Sequence, residues 1–191
     1  MIELKPCVVV LSGMPLTGKS ALAESLTRIG VVRKTNLVYV DVDEMRQFLF
    51  PNPERVLFPP EVETPVMIQS YTALAAKAQW LVQQLHASVC ITGTFSREEF
   101  KRPLEDVYIL HREEFPFRIF VLSAPDEEIG RRIESRRREG SPSNIDTMEK
   151  FLWAKGFFLP IDFAPVVSIE TTKSPDRCAQ EVLGHLADLA T

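Results

Sequence analysis

The segment GMPLTGKS, Gly13 to Ser20, follows the apolar run CVVVLS, Cys7 to Ser12, without a break. Two glycines followed by Lys19 and Ser20 satisfy the pattern G-x-x-x-x-G-K-[ST]. This pattern constrains the fold because it works only between a strand and a helix. Glycines let the backbone curl with several N–H groups pointing inward, and the positive end of the following helix adds to the same concavity. In such a loop Lys19 would reach the β- and γ-phosphates of a nucleotide, and the Ser20 hydroxyl would ligate Mg²⁺. Gly13, Met14, Pro15, Leu16, Thr17, Gly18, Lys19, Ser20 and Ala21 are therefore the candidate nucleotide-binding segment.

Apolar runs alternate with helix-period segments along the rest of the chain, the mark of an α/β fold with a parallel sheet. Strands are expected at Cys7–Ser12, Leu37–Asp41, Ser88–Thr92, Phe117–Leu122 and Val166–Ile169. All five are short and apolar, as strands buried on both faces are. Helices are expected from Lys19 to Arg28 with Gly30 as the stop, from Gln69 to Leu85, from Asp126 to Glu139, and from Arg177 to Leu189. The expectation is one three-layer α/β/α domain over residues 1–191, with an arginine-rich helical lid at about 126–150 and an acceptor-side insertion at about 48–70.

The stretch FPNPERVLFPPEVETP, residues 50–65, is rich in proline and nearly without periodicity. It reads as an ordered loop, with Phe50, Leu57 and Phe58 seeking burial, lying over the carboxyl ends of the strands. A second irregular stretch, Ser141 to Asp146, follows the arginine-rich helix.

Composition narrows the choices further. With 191 residues, 45% hydrophobic and 25% charged, the chain can bury a sizeable core. A net charge of -4 argues against generic nucleic-acid binding. Cys7, Cys90 and Cys178 are odd in number and far apart, as buried free thiols in a reducing compartment would be. No apolar run approaches the roughly 18 residues of a membrane span. The N-terminus runs straight into the loop motif, so a cytoplasmic location is expected.

Two further clusters carry chemistry. In VYVDVDEMRQFL, Val38 to Leu49, a strand ends at Asp41 and a helical turn would put Asp43 and Arg46 on one face. That pair is either a phosphotransfer pair, carboxylate as base and arginine on phosphate, or a helix cap with a surface ion pair. In IGRRIESRRREG, Ile129 to Gly140, Arg132 and Arg136 lie one helical turn apart. Nearby glutamates make a solvated face one reading; arginine without lysine makes bidentate phosphate recognition the other.

Taken in order, GMPLTGKS, the D-x-x-R of Asp43 to Arg46, YTALAAKAQWLVQQLHASVCITGTFS, FRIFVLSAPDEEIGRRIESRRREG and SIETTKSPDRCAQEVL resemble the small P-loop kinases with an adenylate-kinase-like core. Gluconate kinases, chloramphenicol phosphotransferase, zeta toxins and polynucleotide 5′-kinase domains are similar. The resemblance implies an ATP- and Mg²⁺-dependent phosphotransferase acting on a small-molecule hydroxyl. It implies Asp43 as general base, Arg46 as a substrate- or phosphate-contacting arginine, and Arg132 and Arg136 as a lid pair that stabilises the transferring phosphoryl group and packs near adenine. It also implies that Thr171 to Pro175, with Thr172, border the adenine, and that Phe48 to Pro65 with Gln69 and Tyr71 supply the acceptor pocket. Phe48, Phe50, Phe58 and Tyr71 are either walls of that pocket or core packing.

One departure stands out. Relatives commonly read V-x-L-D-A-T-F at the third strand, with the aspartate near the Mg²⁺ water shell, whereas this chain reads VCITGTF with Thr92 in that place. Either Ser20, phosphates and waters hold the ion with help from Asp41, Asp43 or Thr92, or the activity is weakened. A catalytically weakened ATP-binding protein and a polynucleotide 5′-hydroxyl kinase are thus the alternatives. A GTPase switch is disfavoured, because TKSPD, Thr172 to Asp176, puts the guanine-reading acid one residue too far along and no D-x-x-G motif follows the third strand.

Overall fold

The computed structural model describes residues 5–32, 36–51, 60–140, 145–159 and 161–187. Its order is β1 (Val8–Gly13), α1 (Lys19–Val32), β2 (Leu37–Asp41), α2 (Val42–Leu49), α3 (Pro60–Leu85), β3 (Ser88–Gly93), α4 (Glu98–His111), β4 (Phe117–Ser123), α5 (Asp126–Arg138), α6 (Met148–Lys155), β5 (Val166–Glu170) and α7 (Pro175–Ala187). The strands form one sheet in the order β2-β3-β1-β4-β5, every neighbouring pair parallel. This is the expected α/β fold with a five-stranded parallel sheet.

Alternation along the strands sorts the core into two layers. Val8, Val10, Val40, Ile91 and Ile119 face one side, where Leu74, Ala78 and Val82 of α3 and Leu104 of α4 cover them. Val9, Leu11, Cys90, Phe120 and Leu122 face the other, under Leu22 and Leu26 of α1 and Val182 of α7. Burying each of these side chains contributes about 1.5–3 kcal/mol, which is why central strands β1 and β3 are closed on both faces. Cys7, Cys90 and Cys178 are free and buried. No helix among the described residues is long and apolar enough to cross a membrane.

All five expected strands are present, each within one residue of its expected bounds. The helices differ more. α1 continues past Gly30 to Val32, because packing of Leu26 and Ile29 on the sheet outweighs the roughly 1 kcal/mol that a mid-helix glycine costs. The expected loop at 50–65 is corrected over its last part, since α3 begins at Pro60. Proline suits a first helical position, where no N–H is needed, and Pro65 lies in the helix beyond it. Residues 52–59, including Leu57 and Phe58, and residues 141–144 lie outside the described residues. α7 starts at Pro175, two residues before its expected start. α4 was not expected. It buries Phe100, Leu104 and Val107 at helical spacing despite an internal Pro103.

Candidate active site

The loop between β1 and α1 needs backbone that only glycine supplies readily. Gly13 has φ +152°, and a Cβ there would lie 2.6 Å from the Leu122 carbonyl oxygen. Gly18 has φ +85°, and Leu16 is itself left-handed at φ +71°. Thr17 closes the loop internally, its hydroxyl donating to the Met14 carbonyl at 2.8 Å. Met14 and Leu16 turn their side chains into an apolar cluster with Ile129, Ile133 and Phe151. Lys19 Nζ donates to the carbonyls of Gly13 at 2.8 Å and Met14 at 2.9 Å. Burial lowers its ammonium to about 8; Asp41 and Asp43 pull it upward, and Arg136 pushes it down again.

The second cluster grows out of the end of β2. Asp41 caps α2, its Oδ1 accepting the Asp43 N–H at 2.7 Å. The first turn then sets Asp43 and Arg46 on one face, Oδ1 to Nη2 at 3.1 Å. Arg46 Nη1 also reaches the Met67 sulfur of α3 at 3.6 Å, which ties the pair to the neighbouring helix. The cleft walls displace water around Asp43 and raise its carboxyl above the ordinary value, although 70% of the side chain remains open; Arg46 counters this, and Asp41 adds to it.

Thr92, next to last in β3, stands directly opposite Asp41 in the parallel register. It is fully buried and donates its hydroxyl to Asp41 Oδ2. Tyr39, two residues before Asp41 and so on the same face of β2, donates to the same oxygen at 3.0 Å and stands 3.2 Å from Thr92 Oγ1. Burial raises the Tyr39 phenol well above its ordinary value, and the nearby Ser20 hydroxyl offsets part of that rise. Nothing in the sequence marked Tyr39, since tyrosine in a strand is simply a good β-former. The oxygen donors of Ser20 and Asp41 fit Mg²⁺, a hard ion that binds through one or two carboxylates and substrate phosphates. Among the described residues no three His, Cys, Asp or Glu side chains converge on a common centre.

The arginine helix flanks the loop from the far side. Acidic residues in its first turn and arginines in its last match the helix dipole. Arg132 is tied to the protein: Nε donates to Glu128 at 2.9 Å, Nη1 to the Leu16 carbonyl at 2.8 Å and to Thr171 Oγ1 at 3.2 Å, and Nη2 to the Thr171 carbonyl. Arg132 thus has protein acceptors on Glu128, Leu16 and Thr171. Arg136 is exposed and acts electrostatically on Lys19. Both border a cavity of about 310 Å³ reaching from Gly18 and Ala21 to Thr171 and Lys173. Thr172 is not on its wall; its hydroxyl donates to Glu170 at 2.7 Å, and Thr171 takes the inward place.

The expected acceptor wall divides. Phe48 is 76% exposed and Phe50 half-buried. Tyr71 is core, stacked on Phe100 at 5.1 Å and packed against Phe95 at 4.9 Å. Its hydroxyl accepts the N–H groups of Thr94 and Phe95, each at 3.2 Å, and burial raises the phenol to about 12. Tyr71 therefore braces the turn after β3, where Phe95 is left-handed at φ +50°.

Comparison with known proteins gives the chain a family and solved structures of the same fold. The family described as AAA domain matches residues 8–156. Among solved structures, the Mycobacterium tuberculosis APS kinase CysC in complex with AMPPNP and APS is 18% identical, with a TM-score of 0.66 over 97% of this chain and 99% of that one. The gluconokinase from Sinorhizobium meliloti 1021 is 15% identical, with a TM-score of 0.62 over 98% of this chain and 95% of that one. Chaetomium thermophilum Kti12 in complex with ADP-AlF3 is 14% identical, with a TM-score of 0.64 over 96% and 99%. Identities this low establish the shared fold. No curated protein sequence matches the chain.

Proposed function

We propose that this chain, which belongs to the AAA-domain family matched over residues 8–156, is an ATP-dependent phosphotransferase that uses a small-molecule hydroxyl as acceptor. The observation that carries the reading is the Asp43–Arg46 pair at 3.1 Å, near enough to Lys19 for Asp43 to act on its charge. A hydrolase or switch needs no carboxylate and arginine paired on that side of the phosphate loop.

The triphosphate of ATP would lie on the N–H groups of the loop and the start of α1, with Lys19 moving from the Gly13 and Met14 carbonyls to phosphate oxygens. The base would occupy the cavity beside Arg132, Thr171 and Lys173. Mg²⁺, held on the Ser20 and Asp41 side, supplies charge neutralisation of the phosphates when bound. Asp43 accepts the acceptor's hydroxyl proton as the oxygen attacks the γ-phosphorus. The bond from that phosphorus to the β–γ bridging oxygen breaks, and ADP leaves with the electron pair. The raised Asp43 carboxyl suits a base, because its conjugate acid holds the proton better than an ordinary carboxylate would. Arg46 and Arg136 approach the phosphates from opposite sides and offset the developing charge.

A second reading, ATP binding without turnover, is favoured by the uncharged Thr92. A net charge of -4 disfavours a polynucleotide acceptor. The test is ATP consumption against a panel of polyols, sugar acids, nucleosides, hydroxylated drugs and a 5′-hydroxyl oligonucleotide. Acceptor-dependent ADP release with a small molecule supports the proposal. ATP binding with no acceptor-dependent turnover would establish the second reading instead.

A further inference from the structure

The Asp41 carboxylate receives three donors: the Asp43 N–H on Oδ1, and the Thr92 and Tyr39 hydroxyls on Oδ2. An ionised carboxylate offers about four acceptor positions, so one remains open. Capping α2 needs only Oδ1, and nothing about a helix cap calls for two further hydroxyls on the other oxygen. Those hydroxyls sit on the face of the sheet that α1 covers, since Tyr39 packs against the cluster formed by Leu22, Leu26 and Cys90. Ser20, in the first turn of α1, borders the same phenol. The group assembled at this edge is therefore a serine hydroxyl, one fixed carboxylate and two hydroxyls that orient it.

We propose that Tyr39 and Thr92 are positioning residues that hold Asp41 beside Ser20 as the charged member of the Mg²⁺ water shell. The inference rests on the phosphotransferase reading and deepens it. Register explains why the charge stands on β2. Asp41 and Thr92 are directly paired across adjacent parallel strands, so a second carboxylate at position 92 would face the first, and like charges opposed in a sheet destabilise one another. A hydroxyl at position 92 donates where an ionised carboxylate could only accept. Thr92 is thus the partner that keeps Asp41 fixed, and the site has one carboxylate in a different place from the one expected at the end of β3.

Nucleotide affinity measured with and without Mg²⁺ tests this apart from turnover. The probe is AMPPNP, titrated calorimetrically in Mg²⁺ and again in EDTA, and the quantity read is the affinity ratio. Asp41→Asn keeps a good helix cap and removes the charge, with an amide NH2 in place of the oxygen that the Thr92 and Tyr39 hydroxyls share. It is expected to cut the Mg²⁺-dependent ratio by about 10–100-fold, as loss of a supporting group at a metal site does. Affinity in EDTA should hold or rise. Tyr39→Phe, which keeps the ring in the core, should lower the ratio to a smaller extent, and Thr92→Ser should restore what Thr92→Val loses. The double variant Asp41→Asn/Thr92→Asp should recover most of the ratio by moving the charge across the ladder. An unchanged ratio in Asp41→Asn, with unaltered melting, overturns the inference and leaves the kinase reading standing. A wild-type protein whose AMPPNP affinity ignores Mg²⁺ overturns both.

Discussion

Arg132 of α5 donates to the main-chain carbonyl of Leu16, inside the phosphate loop, at 2.8 Å. Its contacts with Leu16 and Thr171 make it a strut that joins α5, the loop and the turn after β5. Arg136, one turn on, reaches Lys19 only through its field. The two arginines should therefore fail differently when replaced.

Arg132→Met, which keeps much of the packing stem, removes charge-assisted hydrogen bonds from a half-buried site. It should lower unfolding free energy by about 1.5–3 kcal/mol and weaken nucleotide binding. Arg136→Met should leave denaturant stability within about 0.5 kcal/mol of wild type. It should instead lower kcat by roughly 10²-fold, as loss of a donor to transition-state charge does. Chemical denaturation and steady-state kinetics on the two variants would separate the roles.

The Lys19 ammonium, lowered to about 8, makes binding depend on pH. Phosphate favours the charged amine, so nucleotide affinity should be flat below pH 8 and fall as pH rises through it, with proton uptake on binding above pH 8. The sign for stability runs the other way. Between about 8 and 10.5 the unfolded chain holds the proton more tightly than the folded one, so this residue's contribution to stability increases with pH across that window. Below 8 it is a fixed cost, and Lys19→Met should raise the melting temperature at pH 7 while abolishing nucleotide binding. Calorimetry in buffers of different ionisation enthalpy would count the proton.

Gly13→Ala meets two obstacles together, φ +152° and a 2.6 Å approach of the new Cβ to the Leu122 carbonyl. Backbone cannot yield there without parting β1 from β4, which pair Gly13 with Leu122. The expected cost is about 1–3 kcal/mol of stability, with nucleotide affinity lost in the protein that still folds. Thermal unfolding with and without AMPPNP would read both effects.

What the sequence made legible follows the range of the interactions. The strand, loop and helix around GMPLTGKS were readable because their chemistry is local backbone chemistry. Asp43 and Arg46 were readable as a pair because helical spacing alone brings them together. Tyr39 was not, because its meaning depends on Thr92, which lies far along the chain and meets it only across the β2–β3 ladder. The start of α3 was hidden by prolines whose acceptability depends on helix position, and α4 by Pro103 and by Lys101, buried in its apolar stripe against Glu98. Thr172 and Thr171 differ by one residue in a turn, and only the fold shows which faces the cavity.

The central claim is that Asp43 takes a proton from an acceptor hydroxyl, and Asp43→Asn tests it most directly. The measurement is single-turnover phosphoryl transfer from ATP to the panel acceptor that turns over fastest, with AMPPNP affinity measured on the same preparations. The account predicts a transfer rate lower by roughly 10²–10⁴-fold with nucleotide affinity little changed. A transfer rate equal to wild type in Asp43→Asn would contradict it.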